Sequence, residues 1–183
     1  MKTFQSINSI ALLFTLVVAL SGCNQGETLQ TYYVDHELQP GFTTLDIPTS
    51  FLELDEESLS EEEIEAYESI DKLNMLAFII SDENKGQFET EVETVKTILK
   101  DPKYDELLRG GSTKDGKFVV KFLGDPDKLD ELILFGYSNE QGFALVRVLG
   151  DDMNANQIVK LVTSVQQSGL QDNQIAQFMD FFQ

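Results

Sequence analysis

The 183-residue chain has one cysteine, one histidine and no tryptophan. A single cysteine, Cys23, excludes an internal disulfide. With His36 as the only histidine, zinc sites built from His and Cys have no material. His36 falls in a stretch that reads as a polar linker, where it is solvated. Ser-His-Asp and Cys-His catalytic arrangements therefore have no base to be built on. Basic residues are also scarce: 13 Lys and Arg stand against 32 Asp and Glu, a formal charge of −19. None lies between Lys2 and Lys72. That balance argues against a nucleic-acid partner, whose phosphates need Lys and Arg. It also argues against the protein body lying flat on an anionic membrane. A phosphate loop is missing too, since Gly110-Gly111-Ser112-Thr113-Lys114 lacks the Walker spacing and reads as a helix-ending turn. The run Ile10 to Leu20, apolar except for Thr15, is shorter than the roughly 20 residues a spanning helix needs.

What is present begins with that run. Lys2 supplies a cationic start, Ile10 to Leu20 an apolar core, and Ser21 and Gly22 small residues that a peptidase can reach. Leu20-Ser21-Gly22-Cys23 resembles the lipobox of bacterial lipoproteins. The resemblance implies a diacylglycerol on the Cys23 thiol, removal of residues 1–22 as a signal peptide, and acylation of the new amine. Each buried CH₂ contributes about 0.8 kcal/mol, so three chains hold where one is marginal. Lipid would also remove the hazard of a lone exported thiol.

Hydrophobic residues make up 42% of the chain, enough for a real core, and 13 Phe supply most of the aromatic mass. Residues 23–40 are expected as a lipidated flexible tether, with few core-type residues and no clear period. Residues 41–183 are expected as one domain with a C-terminal helix. Acids crowd its start: Glu53, Asp55, Glu56, Glu57, Glu61, Glu62, Glu63, Glu65 and Glu68. This reads as a solvated helix start, with a divalent-cation site or a docking face for a basic partner as the sharper alternatives.

Phe42 to Ile47 alternates as a first strand. Ser60 to Glu63 is a capping box, followed by Ile64, Tyr67 and Ile70 at helical spacing. Leu73 to Ser81 reads as a central strand. Phe88, Val92, Val95 and Leu99 form one helical stripe. Asp101-Pro102 restarts a short helix that Gly110-Gly111 closes. Residues 117–123, 132–137 and 143–149 read as three strands. A helical turn is expected through Leu129, and a hairpin loop over residues 138–142. Asn154 caps a helix carrying Ile158, Leu161, Val162 and Val165, which Gly169 ends. Ile175, Phe178, Met179 and Phe182 trace a terminal helix. The order β-α-β-α-β-β-β-α predicts an α+β fold: a mostly antiparallel sheet with helices packed on one face.

Candidates for chemistry are few. Asp152, Asn154 and Asn156 match alternate calcium-loop positions, but Gln157 stands where Gly is required and Thr163 where the bidentate Glu belongs. Helix capping accounts for them. Asp125, Asp127, Asp130 and Glu131 read as a polar turn. Carboxylate pairs suited to a glycosidase are expected by chance among 32 acids. Arg147 interrupts an apolar strand on the face shared with Phe143, Leu145 and Leu149. Its stem lies over an open sheet face, or its head contacts an anion or acidic peptide. Arg147, Glu61, Glu62 and Glu63 are the candidate partner contacts. No catalytic residue, cofactor or metal is implied.

The order of elements, with FTTLDIPTSFLEL, KLNMLAFII, DPKYDELLR, ELILFGYS and FALVRVLG, is similar to a family of small Bacteroidota lipoproteins that is a domain of unknown function. The resemblance implies Cys23 as lipid acceptor and a place in envelope signalling beside extracytoplasmic-function sigma factors. It transfers no catalytic residue. Asn24-Gln25-Gly26-Glu27 is not the acidic run that resembles a surface-export tag, and no Asp follows Cys23. The expectation is therefore the periplasmic face of the outer membrane. The expected function is a non-enzymatic membrane-anchored envelope lipoprotein acting through protein-protein contact, in envelope stress or sigma-factor signalling; the alternative is a periplasmic small-ligand or cation-binding lipoprotein.

Overall fold

The computed structural model describes residues 26–49, 59–112 and 116–168. The signal segment, Cys23, the acids Glu53 to Glu57 and the terminal stripe Ile175 to Phe182 lie outside the described residues. Among the described residues ten elements follow one another: α1 (Leu29–His36), β1 (Phe42–Pro48), α2 (Glu61–Glu68), β2 (Ile70–Ile79), α3 (Lys85–Ile98), β3 (Asp105–Ser112), β4 (Gly116–Asp125), β5 (Lys128–Ser138), β6 (Gly142–Met153) and α4 (Ala155–Ser168). The strands form one sheet in the order β1-β2-β6-β5-β4-β3, antiparallel throughout. The α+β class and the antiparallel sheet are as the hydrophobic pattern predicts.

Side chains alternate between the two sheet faces, and each face has its own core. On the first, α1 and α3 cover Leu76, Phe78, Ile133, Phe135, Phe143 and Leu145. Phe78 and Phe143 stack with centroids 5.6 Å apart, and Phe42 meets Phe78 edge-on at 5.0 Å. Each such buried ring contributes about 1.5–3 kcal/mol. On the second face, α2 and α4 cover Ile70, Phe122, Leu129, Leu132 and Met153. The helices thus divide two and two, and the single covered face expected from the sequence is corrected. The near-continuous apolar runs of β5 and β6 are the physical reason, because a strand covered on both sides has no polar face to show.

Three local expectations are also corrected. The stretch expected as tether folds from Leu29 onward. The Thr28 hydroxyl accepts the Thr31 N–H at 3.1 Å, while the Thr31 hydroxyl accepts the Thr28 N–H at 2.9 Å, a reciprocal cap. Leu29, Tyr32 and Tyr33 are buried. Three large side chains over eight residues are enough to hold a two-turn helix by tertiary packing, where propensity alone would not.

The short helix expected after Pro102 is instead a turn and then β3. The Asp101 carboxylate accepts the Lys103 N–H at 3.0 Å, and Tyr104 closes the turn. Pairing with β4 overrides the local helical pattern of Asp105 to Arg109. Gly111 belongs to the hairpin: its φ is +89°, and a Cβ there would sit 2.2 Å from the Gly116 carbonyl oxygen. The third correction is the link before β5, a tight Pro126-Asp127 turn with no helical turn.

Candidate functional site

Arg147 lies on β6 opposite Asn74 of β2 and Ile133 of β5, on the face that α1 and α3 cover. It is 6% exposed. Its Nε donates to Glu131 Oε1 at 2.5 Å, and Glu131 is 5% exposed. Its Nη1 donates to Gln30 Oε1 of α1 at 2.8 Å. Charges this deep survive only when paired and hydrogen-bonded. Beside them Asp46 Oδ1 accepts from Asn74 Nδ2 and from the Tyr33 hydroxyl, the latter at 2.8 Å. The Tyr32 hydroxyl donates to Glu91 Oε2 at 2.7 Å. Polar groups on α1 are therefore spent on β1, α3 and β6, and they fix the helix in register over the sheet.

Burial, and then the bond to Glu91, holds the Tyr32 phenol well above the usual tyrosine range. Burial and the bond to Asp46 do the same for Tyr33, and burial raises Tyr104. The Tyr32 and Tyr33 phenols act as donors in the packing. His36 is likewise not the solvated linker residue expected. Its ring stacks on Tyr32 with centroids 4.1 Å apart, its Nδ1 lies 2.7 Å from the Tyr32 carbonyl oxygen, and its Nε2 lies 3.5 Å from Glu91.

The candidate contacts separate. Arg147 is buried and paired, so the open-face and exposed-contact readings are both corrected; Phe143 and Leu145 do share its face. Glu61 is exposed at the start of α2. Glu62 pairs with Lys160. Glu63 accepts from the Ser60 N–H and hydroxyl, both at 2.7 Å, and from the Ser164 hydroxyl. The Ser164 bond, then those from Ser60, lower the Glu63 carboxyl to about 2. The start of α2 is thus a seam against α4 more than a free acidic face.

The acids of the 125–131 turn do not converge. Asp125 accepts from the Asp127 N–H, while Glu131 turns inward to Arg147. Asn154 accepts the N–H groups of Asn156 at 3.0 Å and Gln157 at 3.3 Å, the cap that the sequence pattern predicts. Among the described residues no three His, Cys, Asp or Glu side chains converge on a metal position. No described helix is long and apolar enough to cross a membrane.

One open groove, about 1210 Å³, runs between residues 26–28 and the outer side of α3. Thr28, Thr90, Glu93, Thr94, Thr97 and Lys100 line it. Sequence reasoning missed Gln30, Glu91 and Glu131. Glu131 alone carried a signal: it is an acid two residues before Ile133, on the face that Ile133 and Phe135 fill.

The chain matches no curated protein and no solved structure. Residues 33–161 match the family model described as a domain of unknown function, DUF4252. The match runs from the middle of α1 into α4 and takes in the whole sheet. The chain belongs to the DUF4252 family.

Proposed function

We propose that this protein is a non-enzymatic envelope lipoprotein of the Bacteroidota type, anchored through Cys23 and acting by contact with another envelope protein. The observation that carries the reading is the spacing between Cys23 and α1. Leu20-Ser21-Gly22-Cys23 stands just ahead of the Thr28 cap, where the fold begins. A chain from Cys23 to Leu29 reaches at most about 20 Å. Lipid on Cys23 would therefore hold the domain close to the bilayer, with α1 and the α3 groove on the membrane side. Confinement of this kind raises the effective concentration for neighbours without any new contact. The lack of an acidic run after Cys23 favours the periplasmic face of the outer membrane. Envelope-stress or sigma-factor signalling is the setting that the family resemblance supplies.

Arg147, Glu131, Glu62 and Glu63 are engaged within the fold, so a partner would be met by other surfaces of the domain. Crosslinking in intact cells, followed by identification of what is captured, tests the reading. A single envelope protein recovered with the wild-type chain and lost with Cys23→Ser supports it. The groove beside Thr28 favours the second reading, a small-ligand-binding lipoprotein. A small molecule retained by the purified domain, with no protein captured in cells, would reverse the order of the two.

A further inference from the structure

The strand order ends at β3, so among the described residues its outer edge has no strand beside it. Such an edge offers a row of backbone N–H and C=O groups to a second strand. The β3–β4 register shifts between Glu106 and Leu108, a bulge in which Leu107 and Leu108 together stand against Val120. The bulge returns Glu106 and Arg109, opposite Lys121 and Val119, to one face of the sheet. They form an ion pair there, with the Arg109 side chain 74% exposed. On the other face Leu108 stands opposite Val120, and Gly110 opposite Phe118. The Phe118 ring lies over Gly110, where a Cβ would come within 2.8 Å of two ring carbons. Leu107, Leu108 and Phe118 are 37%, 44% and 38% exposed.

We propose that β3 pairs antiparallel with β3 of a second copy of this chain, about a two-fold axis between Leu107 and Leu108. In that register the strand is its own complement. Glu106 falls opposite Arg109 of the second copy, Leu107 opposite Leu108, and Asp105 opposite Gly110. The bulge is what makes the register work. In a regular strand residues three apart point to opposite faces, and Glu106 and Arg109 would never meet across such an axis. With the bulge, each dimer gains two opposite-charge pairs across the new strand boundary. On the other face Leu107 and Leu108 of both copies come together, bordered by Phe118. The in-chain partner is given up at little cost, because exposed ion pairs contribute little. This edge is also where two acidic copies repel least. Residues 103–121 hold five Lys and Arg against three Asp and Glu, in a chain of formal charge −19. β1, the other edge, has no equivalent: its one charged residue, Asp46, is bonded to Asn74 and Tyr33. A contact of one short strand a side is below the size of a permanent interface, so the dimer dissociates on dilution.

The test uses the full chain with Cys23→Ser, in one mild detergent throughout, and sedimentation equilibrium from about 5 to 500 μM. The expected result is a monomer–dimer equilibrium within that range. Glu106→Lys and Arg109→Glu each set like charges opposite one another, and each should weaken self-association at least about ten-fold. In an equimolar mixture the two variants complement each other across the axis, and association should return to within about three-fold of the unchanged chain. Both variants have lost the in-chain pair, so a role within one chain would give no recovery on mixing. As a second readout, Glu106→Cys chains mixed with Arg109→Cys chains and oxidised mildly should give several-fold more mixed disulfide than disulfide between like chains. A chain that stays monomeric across the range would overturn the proposal. So would a dimer that neither charge variant weakens, which would place the second copy elsewhere. Weakened variants that do not recover on mixing, with no excess of the mixed disulfide, would overturn it as well.

Discussion

Arg147 and Glu131 meet inside the protein, guanidinium Nε 2.5 Å from carboxylate Oε1, on neighbouring strands and beneath α1. The pair does not stand directly across the sheet, since Arg147 faces Ile133 and Glu131 faces Leu149. The arginine reaches diagonally, and Gln30 takes its remaining edge. An ion pair held this way sets the position of α1 on the sheet more than it adds net stability.

Breaking the pair from one side should therefore be costly. Glu131→Ala leaves a buried guanidinium with Gln30 alone, and about 3–5 kcal/mol of unfolding free energy should be lost. Glu131→Leu combined with Arg147→Met should recover most of that loss. Urea unfolding of the single and double variants measures both, and the double variant unfolding as early as the single would contradict this reading.

The first helix is expected to behave as part of the domain. Leu29→Ala should lose about 2–5 kcal/mol, as a fully buried leucine does. Tyr32→Phe keeps the ring and removes only the bond to Glu91, for a loss of about 1.5–3 kcal/mol. Thermal melts of the two variants separate the terms. Melts that match wild type would return residues 29–36 to the role of a tether.

Why α1 escaped sequence reasoning has a physical explanation. Its buried side chains are one leucine and two tyrosines whose hydroxyls are satisfied by Glu91 and Asp46, groups far away in the chain. No period within eight residues announces partners of that kind. β2, β5 and β6 were legible because apolar runs bounded by turns have few other uses. β3 was not, because Asp105 to Arg109 is helix-compatible and only pairing with β4 makes it a strand. Arg147 stood out as an interruption, but its partner Glu131 was hidden in an acidic turn. The glutamates of α2 were legible as a cap, while their attachment to Lys160 and Ser164 depends on how two distant helices pack.

Acid should loosen the seam between α2 and α4. The Glu63 carboxyl is lowered from 4.5 to about 2 by its donors. A depressed folded value means that its contribution is fully present above the ordinary glutamate range. It is lost as pH falls through about 2. Glu63→Gln should flatten the dependence of the urea midpoint on pH between about 5 and 2. An identical slope in the variant and the wild type would assign acid sensitivity to other carboxylates.

The β3–β4 hairpin should not tolerate a side chain at Gly111. With φ at +89° and the Gly116 carbonyl in the way, Gly111→Ala is strained and crowded at once. A loss of more than about 1 kcal/mol is expected by denaturant titration, with Gly86→Ala, where a Cβ meets nothing within 4 Å, neutral or better.

Anchoring decides where any of these surfaces works. Growth of the native host with labelled palmitate, followed by capture of the protein and fractionation of the envelope, tests it directly. The account predicts label on the wild-type chain in the membrane fraction, and neither label nor membrane retention for Cys23→Ser. An unlabelled wild-type chain recovered in the soluble extract would contradict it.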